Sequence, residues 1–146
     1  MLTTGIVALL TLTGCLEQLQ TTRSAPSALS NFLIHLRAGE LDDARTYFAP
    51  GLVQPSQALD NSIIEASTRL RGYEIDKGKG TEASLGNGEK IVTIPGRVRK
   101  LVAPGKPTPG PEEGWQQTDI ISATMVGRGP GWRILDFQLL CCTEQK

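Results

Sequence analysis

This chain of 146 residues predicts an α+β domain, with helices packed on one face of a curved antiparallel sheet. Three observations predict it. Apolar residues recur at helical spacing between residues 25 and 70. After Gly72 the texture changes to runs rich in Ile, Val, Thr and aromatics. Those runs are separated by Gly-rich turns, among them the hairpin-type Asn87-Gly88 and Gly129-Pro130-Gly131.

The first helix starts at Ser24 or Ser27, either of which can cap it, with Pro26 favourable in its first turn. Leu29, Phe32, Leu33 and Leu36 recur at i, i+3, i+4, i+7 and give it one apolar face, and Gly39 ends it. Leu41, Ala44, Tyr47 and Phe48 continue into a short second helix, with Asp42 and Asp43 in the first turn, where the helix dipole favours them. Pro50-Gly51 closes that segment. Leu59, Ile63, Ile64, Ala66 and Leu70 predict a third helix from about Pro55 to Leu70. Strands are expected at Tyr73–Asp76, Lys90–Val102, Trp115–Val126 and Trp132–Cys142. Between the middle two, Ala103–Gly114 holds four prolines in twelve residues. Such a segment cannot sit inside a sheet, so it is expected as a long, stiff, exposed loop.

Composition excludes several classes. The 15 Lys and Arg balance 15 Asp and Glu, and there is one His, so the formal charge is zero. A nucleic-acid binder needs a clear basic excess or a basic stripe to neutralise phosphates, so none is expected as a partner. A 39% share of AVILMFWYC with 16 Gly is ordinary for a globular chain. It rules out a disordered polyelectrolyte, a collagen-like repeat and a disulfide-dense miniprotein.

Residues Gly5 to Thr13 form a short apolar run followed by Gly14-Cys15. Crossing a membrane takes about 20 apolar residues. This run has roughly half of that, the size of a signal-peptide core. Leu12-Thr13-Gly14-Cys15 resembles the lipobox of bacterial lipoprotein signal peptides. That resemblance implies a diacylglycerol on the Cys15 sulfur, cleavage just before it and acylation of the new amino group. One acyl chain binds a membrane marginally, whereas two or three attach a protein stably. Two features depart from the pattern: no Lys or Arg precedes the run, and Thr11 and Thr13 interrupt it. A start upstream of Met1 with a few basic residues would account for the first. The competing reading makes 1–14 a buried strand or helix and Cys15 an ordinary thiol. The expected organisation is a signal peptide over 1–14, a lipidated Cys and tether over 15–24, one domain over 25–142 and a tail over 143–146. Fully extended, the tether reaches about 30 Å. The domain is then expected outside the cytoplasm, lipid-anchored to the bacterial cell membrane or the outer membrane.

Cys141 and Cys142 are adjacent. On a strand, neighbouring side chains point to opposite faces, and no His cluster supplies further ligands, so a metal site is not expected. A disulfide between neighbours strains the intervening peptide. The pair therefore reads as two thiols, one inward and one outward, with an interchain disulfide through the outward one as the alternative in an oxidising envelope.

The string Phe32-Leu33, Leu36, Gly39-Glu40, Ala44 and Tyr47, within Ser27–Phe48, resembles the opening of nuclear-transport-factor-2-like domains, where it forms two angled helices. Gly131-Trp132-Arg133-Ile134-Leu135-Asp136-Phe137 is similar to their last strand, so the likeness covers most of 25–142. The resemblance implies a cone-like, strongly bent sheet wrapped on a helix, with a mouth that admits a small apolar molecule or a partner peptide. Relatives include isomerases, dehydratases and cyclases beside many non-catalytic modules, so the fold does not choose among them.

Isomerase-type chemistry needs a general-base carboxylate and a phenol or neutral acid to stabilise an enolate. The parts available are Asp119, Asp136, Glu74, Asp76, Tyr47, Tyr73 and His35. By alternation Asp119 shares a face with Trp115, Ile121, Ala123 and Met125, and Asp136 with Trp132, Ile134 and Leu140, and both faces are mixed. Both could point inward, where burial and like charge would raise one pKa. On the solvated face they would instead pair with Arg97, Arg99 or Arg133. His35 belongs at the edge of a buried helical stripe, with no Ser or Cys motif beside it. Gly78, Gly80, Gly86 and Gly88 are turn glycines rather than a phosphate cradle. Arg97-Val98-Arg99-Lys100 reads as a solvated strand face, with attraction to anionic lipid as the alternative.

The function expected is a lipid-anchored envelope module that binds a small apolar ligand or a protein and needs no cofactor. An isomerase-, dehydratase- or cyclase-type enzyme with Asp119, Asp136 and Tyr73 is the alternative. A homodimeric accessory subunit, marked by apolar residues on the outward side of the last two strands, is the third option.

Overall fold

The computed structural model describes residues 24–48, 56–128 and 131–143. The expected signal peptide, Cys15, most of the tether, Pro50-Gly51, the Gly129-Pro130 turn and the end of the tail lie outside the described residues.

Among the described residues, three helices pack against a five-stranded antiparallel sheet. Helix α1, Ala25–Ala38, begins where the Ser24 hydroxyl accepts the Ser27 N–H at 3.2 Å. It stops at Gly39, whose φ of +76° lets the Glu40 N–H turn back to the His35 carbonyl at 3.0 Å. A Cβ at that φ would be strained, so the glycine sets the corner. Leu29, Phe32, Leu33 and Leu36 are all buried, as their spacing predicts. Burying each contributes about 1.5–3 kcal/mol. Helix α2, Leu41–Arg45, is shorter than expected: Phe48 leaves it to form an isolated parallel bridge with Ile134. Helix α3, Gln57–Leu70, starts from a Ser56 cap. It buries Ile63, Ala66, Ser67 and Leu70 but leaves Ile64 exposed, because Ile64 lies about 100° around the helix from Ile63.

The strands are β1 Tyr73–Lys77, β2 Thr81–Gly86, β3 Glu89–Lys100, β4 Gln116–Arg128 and β5 Gly131–Leu139. Strand β2 is absent from the sequence expectation, although the Asn87-Gly88 turn needs a strand on each side; Asn87 and Gly88 both have positive φ. Strands β1 and β2 pair with the two halves of β3 along one edge, and the order continues through β4 to β5. Pro95 sits mid-way along β3. It is tolerated because the edge breaks there at Gly78–Gly80, where Gly78 donates to the Pro95 carbonyl at 2.7 Å.

The inward row on β3 to β5 includes Val92, Ile94, Ala123, Met125 and Ile134, all buried, and α1 is the helix that lies on these three strands. Phe32 stands at the centre, with Phe137 at 5.2 Å, Phe48 at 5.7 Å and Tyr47 at 6.0 Å between ring centroids. Edge-to-face arrangements of this kind add to the area they bury.

Candidate functional site

Each of the two candidate aspartates is turned outward by one β-bulge. On β4, Ile121 faces Ile94 and Asp119 faces Pro95, which leaves Ile120 as the extra residue. On β5, Ile134 faces Met125 and Asp136 faces Thr124, which leaves Leu135 extra. An extra residue reverses the alternation beyond it. Asp119 and Asp136 are therefore exposed and line no shared cavity with each other or with Tyr73. Neither pairs with Arg97, Arg99 or Arg133: Arg97 takes Asp76 and Glu112, Arg99 takes Glu74, and Arg133 donates to the Thr46 carbonyl. The outward row of the last two strands carries Ser122, Thr124, Arg133, Asp136 and Gln138, with Val126 as an apolar member that is itself buried.

Tyr73 does line a cavity. Beyond Ile94 the inward row of β3 continues through Val98 to Lys100, and register places Ile75 and Tyr73 of β1 beside them. A half-open cleft of about 480 Å³ opens there, and a second of about 430 Å³ adjoins it. Both are lined by Tyr73, Lys100 and Cys142. The far wall of the larger is the proline-rich segment, through Pro109, Glu113 and Gly114.

That segment is exposed, as its prolines require, but it is pinned. Trp115 lies between two guanidinium groups, 4.7 Å from Arg97 and 4.5 Å from Arg99. Arg99 also donates to the Gly110 and Glu113 carbonyls, Arg97 pairs with Glu112, and the Trp115 indole donates to the Pro111 carbonyl at 2.8 Å. The Arg97–Arg99 patch is thus consumed by the loop and by β1, rather than standing as a free basic face.

The cysteines depart from the sequence reading. Strand β5 ends at Leu139, and Cys142 adopts φ +65°, which is uncommon outside glycine. The turn puts both thiols inside, with Cys141 4% and Cys142 6% exposed, so the outward thiol expected from strand alternation is not there. The interaction between the neighbouring thiols lowers the Cys141 pKa and raises that of Cys142, a rise that burial reinforces and the Arg69 charge opposes.

His35 sits half-buried beside Tyr47, its Nδ1 3.5 Å from Glu40 Oε2, with Asp43 nearby. It is at the stripe's edge, as expected. Compared with known proteins, the chain matches no family model and no curated relative. No helix among the described residues is long and apolar enough to cross a membrane.

Proposed function

We propose that this is a lipid-anchored envelope protein whose α+β domain, of the nuclear-transport-factor-2-like kind, is a non-catalytic binding module. Its cleft at Tyr73, Lys100 and Cys142 takes a small, partly apolar ligand. One observation carries the binding reading. The space between α1 and the strands is packed with Phe32, Phe48 and Phe137, while both bulges send their aspartates to solvent. The cleft is a concave surface with mixed lining, and among the described residues isomerase chemistry has no pair of facing carboxylates between Asp119 and Asp136. The family likeness is supported by the element order, with α1 and α2 on the opening motif and β5 on the closing one. The Phe48–Ile134 bridge ties those two ends together. Leu12-Thr13-Gly14-Cys15 supports the anchor.

Radioactive palmitate supplied to bacteria expressing the chain tests the anchor. The wild type is expected to take up label and partition into detergent, while Cys15→Ala does neither. Equal labelling of the two would overturn the reading.

A further inference from the structure

We infer that the cleft takes a small amphiphilic anion, a free molecule with one carboxylate-like head and an apolar body; this rests on the binding reading above and names its ligand class. The head belongs where the two clefts join. Lys100 borders both, and among the described residues its ammonium has no hydrogen-bond or ion-pair partner. Arg69 borders the smaller cleft, whose lining among the described residues includes no acid. Two further guanidinium groups stand at this end of α1. Arg37 donates to the Tyr73 carbonyl at 3.1 Å, and Arg71 to the Ser67 hydroxyl at 3.5 Å. Of these four cations only Arg69 has a carboxylate partner among the described residues, Glu65 at 2.6 Å. The chain as a whole is neutral, so this local excess of positive charge favours an anion here.

The larger cleft supplies the apolar side. Tyr73, Val98, Val102 and Pro109 line it, and Val102 is 42% exposed. Its volume of about 480 Å³ suits a small molecule. Glu113 stands on the far wall, where its Oε2 accepts the Gly110 N–H at 3.0 Å. A negative head is repelled from that wall and drawn to Lys100 and Arg69, so the body lies along Tyr73 and Val98. A free molecule suits this place better than a phospholipid headgroup. Pro26, in the first turn of α1, lies against Gly80, and Arg37, in its last turn, reaches Tyr73. The 14 residues of the helix therefore separate the cleft from the end at which the chain arrives from Cys15, by about 21 Å at roughly 1.5 Å per residue.

The test follows amide resonances of the isotope-labelled full chain carrying Cys15→Ala, which has no site for acyl groups, as octanoate, 1-octanol or octylammonium is added below its aggregation concentration. Octanoate is expected to shift the amides of Tyr73, Leu101 and Gly114 and to bind at least tenfold more tightly than the other two. Lys100→Gln is expected to weaken octanoate at least fivefold and to leave 1-octanol unchanged, whereas Lys100→Arg keeps the charge and retains binding. Lys100 is exposed, and the spectrum of each variant before addition shows that it folds. If 1-octanol or octylammonium binds as tightly as octanoate, or Lys100→Gln binds octanoate as well as its parent, the anionic class is overturned while a binding cleft stands. If none of the three shifts these amides, the binding reading falls with it. Vesicles of phosphatidylglycerol that displace octanoate from the cleft would overturn the free molecule in favour of a headgroup. The comparison of the three compounds needs no change at Lys100, so a misfolded variant does not obscure the outcome.

Discussion

Strand β3 supplies two regions with opposite characters from a single face. At Val92 and Ile94 its inward side chains lie under α1 and are essentially without solvent contact. At Lys100, six residues beyond Ile94 on the same face, the side chain is exposed and borders a cleft. Alternation is identical in both places. What differs is the cover: the aromatic cluster around Phe32 fills one end, whereas a pinned loop and a turned C-terminal segment leave a gap at the other. A row of inward positions becomes core only where another element closes over it.

That contrast can be broken most severely from the packed end. Phe32→Ala removes the ring on which Tyr47, Phe48 and Phe137 converge. It is expected to cost about 3–5 kcal/mol in urea unfolding. A loss under about 1 kcal/mol would mean that the interior is loosely filled after all. At the cleft end Arg99→Gln removes the side chain that joins Glu74, two loop carbonyls and the Trp115 ring. A global loss of about 1–2 kcal/mol is expected. Hydrogen exchange should quicken at the Glu113 amide, which bonds the Gly110 carbonyl at 3.1 Å, while the amides of α1 stay protected. Uniformly faster exchange would show that the two regions do not open separately. The smallest effect belongs to the outward bulge neighbours. Asp119→Asn and Asp136→Asn should each change stability by less than about 0.5 kcal/mol. A larger change in either would mean that its carboxylate is engaged inside.

Legibility follows the range of the interaction. The α1 face and the Gly39 stop depend on residues within one or two turns, so Leu29, Phe32, Leu33 and Leu36 read correctly from their spacing; of the two caps offered, Ser24 and Ser27, the helix uses Ser24. Strand β2 escapes a reading by pattern because Thr81–Gly86 is exposed on every residue and carries no apolar alternation; the Asn87-Gly88 turn is the signal that points to it. The inward reading of Asp119 and Asp136 fails for one reason in both cases. Alternation assumes an unbroken ladder, and a single extra residue, Ile120 or Leu135, reverses it. Of the cleft, Tyr73 is legible as a candidate, but its meeting with Lys100 and Cys142 is not. Those three residues are brought together from 73, 100 and 142, a distance along the chain that local pattern does not span.

The amino-acid order alone determined the α+β class, the faces of the helices, the exposed proline-rich loop and the lipobox-like start. Each of these follows from propensity, capping or spacing over a few residues. Tertiary structure decided where the bulges fall, which arginines the loop consumes and that neighbouring thiols lie inside together. Those outcomes depend on which partner strand or helix closes over a residue, and that is settled only when distant segments pack.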